Sequence, residues 1–253
     1  MPLPDPTLAW FQTRVPELLN PLLEAWQTAA PRGDGSNEAP PLLADAFGQL
    51  LEAMVRTEAS LAAEDGAAGA SRATPEDITE LGEYAFNLFN ATLAWAQRLN
   101  LDEVIDGMQE LSIALALWIA RHGGYLYTAE PVADALALYA NRTREPSGLA
   151  ALYEVMGEVL AAIAPALRQD LEKTNPGRPW RVLNLNRAIV ATRTHRPELM
   201  EQAFAVLIEN LPEDAPQFFS QGMEQMDLLN YPSHVREVMD KYYQQWSVKR
   251  SLH

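Results

Sequence analysis

The sequence contains no cysteine, and it has no long uninterrupted apolar run. Without cysteine there is no disulfide framework, no thiol nucleophile and no cysteine-ligated zinc or iron–sulfur centre. No window supplies the roughly 20 apolar residues that a membrane span needs, and the first residues lack the basic and apolar regions of a secretory signal. These absences predict a soluble, cytoplasmic protein.

Familiar catalytic motifs are also missing. The sequence has no phosphate-binding P-loop, dinucleotide fingerprint, nucleophile elbow or zinc-protease helix. We therefore favour a binding protein over an enzyme and expect no cofactor.

Lysine is scarce, with 3 lysines against 16 arginines, and acidic residues bring the net charge to −15. A strongly acidic chain is a poor partner for nucleic acid or anionic membranes, because binding phosphate needs a positive surface. The charge is uneven, however. The segment 173–196 holds six Lys and Arg residues and no acid, so one basic stretch is predicted within an acidic protein.

The segment 102–122 is the most apolar part of the chain. From Leu111 to Ala120 only Ser112 is polar, so a helix here has no solvent-facing side and needs neighbours all round. Acids in its first turn and Arg121 and His122 in its last suit the helix dipole. We expect the central helix of an all-α protein.

The other helices are predicted from periodicity and from start and stop signals. They fall near Thr7–Ala29, Leu42–Ala63, Thr74–Leu99, Pro131–Arg142, Ser147–Glu172, Trp180–Thr194, Pro197–Leu211, Ala215–Leu229 and Ser233–Trp246. Pro16 and Pro21 should break or kink the first, and Pro165 should bend the Ser147 helix. The only strand candidate is the short stretch Gly124–Tyr127. The pattern predicts an irregular stack of about ten antiparallel helices in hairpins.

Two segments rich in Pro, Gly and Ala, at 30–41 and 64–73, flank the second helix. They predict that residues 1–64 form an N-terminal helical hairpin on flexible links. Residues 74–253 then form the main helical domain around helix 102–122.

The last two hairpins align at an offset of 35 residues, with Arg196-Pro197 matching Tyr231-Pro232. They resemble tetratricopeptide repeats in length, which predicts a TPR-like or superhelical C-terminal end. Only Ala188, Phe204 and Pro212 match that family's residue pattern, so we assign no family. An irregular bundle fits equally well.

Three groups of residues are candidate sites. The first is a set of polar residues in and beside the basic segment, suited to a carboxylate or phosphate ligand or to internal pairing with acids of residues 130–172: Arg181, Asn184, Arg187, Arg193 and Arg196. The second is a possible polar pocket between two helices, or a set of solvent-facing side chains: Tyr84, Asn87, Asn90 and Glu110. The third is a weak metal-binding arrangement at a helix start: His195, Glu198 and Glu201.

Our leading functional hypothesis is a non-enzymatic scaffold or adaptor that binds another protein. The rival hypothesis is a helical bundle that binds a small anionic ligand or a metal, either as a ligand-binding protein or as an enzyme. A third is a homodimer that exchanges its N-terminal hairpins.

Overall fold

The structure, a computed structural model, describes residues 2–29, 39–63 and 72–247. These residues form eleven α-helices. The first six are α1 (Leu8–Ala29), α2 (Pro40–Ala62), α3 (Pro75–Arg98), α4 (Asp102–Arg121), α5 (Glu130–Arg142) and α6 (Pro146–Ala162). The others are α7 (Pro165–Arg168), α8 (Pro179–Arg193), α9 (Pro197–Asn210), α10 (Ala215–Leu228) and α11 (Ser233–Ser247). The predicted all-α class and the stacking of helices are confirmed.

The ends of α3 show how local sequence sets a helix boundary. Thr74 accepts a hydrogen bond from the backbone N–H of Asp77 at 3.2 Å, and the Asp77 carboxylate accepts one from the Thr74 N–H at 2.8 Å. This reciprocal cap satisfies two N–H groups that the helix leaves unpaired. At the other end Asn100 has a φ of 54°, a left-handed conformation that asparagine tolerates and that stops the helix.

Helix α4 is buried as predicted. Every side chain from Leu111 to Ile119 is buried, and α4 packs against both α1 and α3. Glycines allow these close approaches. A Cβ on Gly107 would lie 2.7 Å from Cδ1 of Leu18 in α1, and one on Gly82 in α3 would lie 2.9 Å from Cγ1 of Ile119. The helix axes therefore lie closer than a methyl group at either position would permit.

The expected break of the first helix and the expected bend at Pro165 were wrong, while a kink in the first helix stays a prediction. Helix α1 runs unbroken through Pro16 and Pro21. Both prolines are on the exposed side, as are the carbonyl-bearing residues Gln12 and Glu17 four positions earlier, so water can satisfy the carbonyls that lose their helical partner. Conversely, the predicted helix from Ser147 to Glu172 ends at Ala162 instead of bending at Pro165.

The end of α6 is explained by a short extended contact. Leu126 donates its N–H to the carbonyl of Ala162 at 2.8 Å, and its carbonyl accepts from the N–H of Ala164 at 2.9 Å. Leu126 and Ile163 thus form an isolated parallel bridge, and both are fully buried. The strand candidate at Gly124–Tyr127 is reduced to this one bridge, which takes the chain out of the helix before α7.

The chain divides into two compact units. The N-terminal unit comprises Leu3–Ala135 and Ala161–Ala164, and the C-terminal unit comprises Met1–Pro2, Leu136–Leu160 and Pro165–His253. In the N-terminal unit α1 packs on α2 and α2 on α3; in the C-terminal unit α8 pairs with α9, α10 with α11, and α11 packs on α9. Most of the predicted flexible links, at 30–38 and 64–71, lies outside the described residues, and the proposed boundary at residue 64 stays a prediction.

Within the described ranges, no helix has the length and apolar character required to cross a membrane.

Candidate functional site

The basic segment forms internal contacts in the C-terminal unit. Arg178 is buried and forms a bidentate pair with Asp170, in which the Nη2–Oδ2 distance is 2.8 Å. It also lies 3.4 Å from Asp214, to which Arg181 donates from Nε at 2.7 Å. The hydrogen bonds that Arg178 donates to the Asp170 carboxylate raise the pKa of Arg178 despite its burial. This four-residue ion network ties the segment before α8 to the turn before α10.

Three of the other four polar residues predicted in this segment also make contacts within the chain. Asn184 is buried, donating to the Trp180 carbonyl and accepting from Asn210, both at 2.8 Å. The Arg187 guanidinium lies 4.0 Å from the centre of the Tyr153 ring. Arg193 donates to the carbonyls of Ala140 and Thr143 at 2.5 and 2.6 Å, capping the end of α5, while Arg196 is exposed.

The second predicted group does not gather around a carboxylate. Glu110 is half-buried and accepts two hydrogen bonds from Arg14 of α1, at 3.1 and 2.9 Å. Tyr84, Asn87 and Asn90 are exposed on α3. Glu110 therefore joins α1 to α4, and the three α3 side chains face solvent.

The predicted metal-binding residues are separated by their own contacts. His195 sits in the turn before α9 with a φ of 57°, its ring edge-on to Tyr231 at 5.2 Å. Glu201 pairs with Lys241 at 2.7 Å, and Glu198 is exposed. Among the described residues, no cluster of three or more His, Asp or Glu side chains has a geometry that holds a metal ion.

A groove that none of these predictions included lies in the C-terminal unit. We call it the α8–α10 groove; it has a volume of about 440 Å³ and is lined by α8, α10, α11 and the turn that joins the last two helices. Its apolar lining consists of Ile189, Phe218, Met226, Leu229, Tyr231 and Met239. Met226 and Met239 are buried beneath it, while Ile189 is 44% exposed and Leu229 is 63% exposed.

Helices α10 and α11 approach closely beside the groove. A Cβ on Gly222 would lie 2.6 Å from Sδ of Met239 and 2.8 Å from its Cε. Phe218 beside it is held edge-on by Phe204 and Phe219, with ring centres 5.7 and 5.3 Å away. A packed aromatic cluster thus supports the groove from behind, so its shape is set by core packing.

The polar lining of the groove carries little free charge. The donors of Arg193 are directed to the end of α5, and burial raises the pKa of Tyr231, an effect that the charge of Arg193 partly opposes. Tyr231 therefore stays a neutral phenol at neutral pH. Gln221, Gln225 and Glu224 are exposed at the rim, and among the described residues no Lys or Arg pairs with Glu224.

Sequence reasoning missed the groove because its residues look like core residues. Phe218, Met226 and Met239 fit the buried stripes of their helices, and only the arrangement of neighbours decides that a cavity lies beside them. One usable signal was Leu228-Leu229 at the end of α10, where Leu228 is 75% exposed. Two adjacent leucines at a helix end cannot both face one core.

No family model, curated protein or solved structure matches this chain.

Proposed function

We propose that the protein is a non-enzymatic adaptor that binds an amphipathic helical segment of another protein in the α8–α10 groove. The observation that carries the proposal is the pairing of two well-exposed aliphatic side chains, Ile189 and Leu229, with a floor made of Met226, Met239 and Phe218. Apolar grooves between helices take the apolar face of a partner helix, and methionine adapts to varied side chains.

The rim indicates the charge of the partner segment. Glu224 is exposed and lacks a cation partner among the described residues, and the neighbouring rim side chains, Gln221 and Gln225, are uncharged. A lysine or arginine beside the apolar anchors of the partner would pair with Glu224, whereas a carboxylate there would be repelled. The proposed partner segment is therefore a helix with leucine, isoleucine or methionine anchors flanked by a basic residue.

The chemistry of the lining favours binding over catalysis. Its ionisable side chains are Arg193, Glu224 and Tyr231. Arg193 donates to backbone carbonyls and Tyr231 is held neutral by burial. The hydroxyl of Thr192, which also lines the groove, donates to the Ala188 carbonyl at 2.9 Å. Among the described lining residues this leaves Glu224 as the one exposed carboxylate, and a hydroxyl bonded to a backbone carbonyl is not activated as a nucleophile by a base.

A displayed library of 16-residue helical peptides tests the proposal, with apolar residues fixed at helical spacing and the flanking residues varied. We expect the full chain to select peptides with basic flanks. Leu229→Glu should weaken their binding about 10- to 100-fold, the equivalent of losing one buried leucine contact.

Leu228→Glu is the matched control, because Leu228 is still more exposed and does not line the groove. It should bind the selected peptides as the unmodified chain does. Failure to enrich any helical peptide, or equal losses in the two variants, would contradict the proposal.

A second candidate is a small apolar ligand in the same groove, which its volume of about 440 Å³ favours because small-molecule sites usually measure about 300–1,000 Å³. An anionic ligand is less favoured, since Arg193 already donates to carbonyl oxygens. Thermal-shift screening distinguishes the two candidates, because a small ligand at 100 times its Kd adds about 2.7 kcal/mol of stability.

A further inference from the structure

The net charge of the protein resides almost entirely in one unit. The N-terminal unit contains 6 Lys and Arg residues against 20 Asp and Glu, while the C-terminal unit contains 13 against 14. Twenty carboxylates cannot be paired with six cations, so part of this acidity faces solvent uncompensated. Some of these carboxylates lie in places where the neighbouring side chains are suited to contact a partner.

One such place is the connection between α4 and α5, which is fixed on α3 by side-chain hydrogen bonds. The N–H of Tyr125 donates to Oγ1 of Thr79 at 2.9 Å. Thr128 donates to the Glu83 carboxylate from its N–H at 3.0 Å and from its hydroxyl at 2.7 Å. With Leu126 buried and bridged to Ile163, this stretch has a defined position without being helical.

The alternation of an extended chain turns the flanking tyrosines outward. Because Leu126 faces the core, Tyr125 and Tyr127 face away from it, and they are 41% and 51% exposed. Tyr84, the residue after Glu83 in α3, is 41% exposed as well. Tyrosines held on an ordered backbone lose little entropy on binding and are favoured in protein interfaces.

Carboxylates accompany these rings. Glu76 and Glu80 are exposed two turns and one turn before Tyr84 on the same face of α3, and Glu130 is exposed at the start of α5. Within the described residues, no Lys or Arg pairs with any of the three. Arg56 of α2 shares a cavity with Glu80 and Tyr84, but the carboxylate with which it pairs among the described residues is that of Glu52, at 3.9 Å. We call the set of Tyr84, Tyr125, Tyr127, Glu76, Glu80 and Glu130 the tyrosine surface.

We propose that the tyrosine surface binds a segment rich in lysine and arginine from a partner protein. Tyrosine ring faces attract ammonium and guanidinium groups, and the neighbouring carboxylates supply ion pairs with the same groups. The charge of the unit repels nucleic acid and anionic lipid. This surface is independent of the proposed function, since its residues, its unit and its partner chemistry all differ from those of the α8–α10 groove.

The test measures binding of a fluorescein-labelled 12-residue peptide of alternating Arg, Lys, Gly and Ser to the full chain. A peptide with Gln in place of every Arg and Lys serves as the uncharged control. We expect Tyr127→Ala to weaken binding about 3- to 5-fold and Tyr127→Phe to retain it, because phenylalanine keeps the ring face. A loss that is equal in Tyr127→Phe and Tyr127→Ala, or absent in both, overturns the role of the rings.

A charge-matched pair of variants locates the acidic contribution. Glu130→Gln should weaken binding, while Glu237→Gln, the same change at an exposed position of α11, should not. If the two variants weaken binding equally, the peptide is attracted by total charge alone and the proposal is overturned. Displacement of the peptide by spermidine at the same concentration of positive charge would overturn it as well.

Two further measurements keep the result interpretable. Thermal unfolding followed by circular dichroism should be unchanged in the variants, because each altered side chain is exposed or half-exposed. Leu229→Glu should leave binding of the basic peptide intact, so loss of the groove function and loss of this surface are seen separately.

Discussion

The close approach of α1 and α4 at Gly107 gives the sharpest prediction of stability. A Cβ added there would lie 2.7 Å from Cδ1 and 3.0 Å from Cγ of Leu18, and closer still to Cδ2. Leu18 is 4% exposed, so its branched end cannot swing into solvent. Overpacking of this kind costs about 1–3 kcal/mol, whereas replacing glycine by alanine within a helix gains about 0.5–1 kcal/mol. Gly107→Ala should therefore lower the free energy of unfolding by about 1 kcal/mol, within a range of roughly 0–2.5 kcal/mol.

Gly48 in α2 is the matched control for this prediction. Nothing lies within 4 Å of a Cβ built on it, so Gly48→Ala keeps only the helix-propensity gain of about 0.5–1 kcal/mol. The assay is urea unfolding followed by circular dichroism, with the free energies compared only if the dependence on urea is unchanged. The two alanine variants should move in opposite directions.

A double-mutant cycle identifies the cause. Leu18→Ala alone should cost about 2–5 kcal/mol, as removal of a buried leucine does. In the double variant the new methyl group occupies space that the Leu18 side chain vacated. The loss of unfolding free energy should therefore be about 1–3 kcal/mol smaller than the sum of the losses in the two single variants. An additive cycle, or a Gly107→Ala variant more stable than the unmodified chain, would refute the steric argument.

Five other substitutions test the contacts and helix positions described above. Arg178→Met leaves Asp170 buried without its cation, so it should lower the free energy of unfolding by about 3–5 kcal/mol. Adding Asp170→Asn to this variant should recover part of the lost stability. Urea unfolding midpoints measure the single and the double variant. Thr74→Ala should cost about 1 kcal/mol through loss of the α3 cap. Hydrogen bonds from Thr74 lower the pKa of Asp77 from 3.8, so the stability Asp77 contributes is present above that value and is lost as the pH falls through the lower folded pKa. The stability difference between the unmodified chain and Asp77→Asn, measured at pH 7 and at pH 3, should therefore shrink in acid. Pro16→Ala should raise the melting temperature, with a gain of about 1–3 kcal/mol from the restored helical hydrogen bond and better helix propensity.

The features that sequence predicted correctly are those decided within a short window of residues. The burial of α4 follows from one uninterrupted apolar stretch, and the start of α3 follows from Thr74, Pro75 and Asp77 in succession. Such signals need no knowledge of the neighbouring helices. For this reason the all-α class and most helix bounds could be predicted to within a few residues.

The features that sequence missed depend on which face a neighbour covers. Pro16 and Pro165 both lie in apolar helical patterns, yet α1 continues through the first and α6 ends before the second. The difference is that Pro16 sits on a hydrated face, whereas the chain before Pro165 is held by backbone hydrogen bonds to Leu126. A contact 37 residues away in the chain (Leu126 to Ile163) cannot be inferred from a local window.

The candidate sites also include features that are visible in a short stretch of sequence and features that depend on distant neighbours. The concentration of arginine between residues 173 and 196 is plain in the sequence, but the partners of those arginines include backbone carbonyls and an aromatic ring. Neither kind of partner leaves a charge pattern in the sequence. The α8–α10 groove is still harder to predict from sequence. Ile189 and Leu229 line one groove only because of how their helices, which lie far apart along the chain, are placed in the fold.

The two units alternate along the chain, and this division determines which unit carries the net negative charge. Because Leu136–Leu160 belongs with Pro165–His253, the basic segment lies in a unit whose 14 acids nearly balance its 13 cations. That unit offers an apolar groove, and the other offers tyrosines among unpaired carboxylates. The two proposed surfaces should therefore respond differently to salt. Raising the salt from about 0.05 to 0.5 M shortens the range of charge interactions several-fold. It should sharply weaken binding of the basic peptide and affect the groove peptide far less, since burial of apolar surface is not screened.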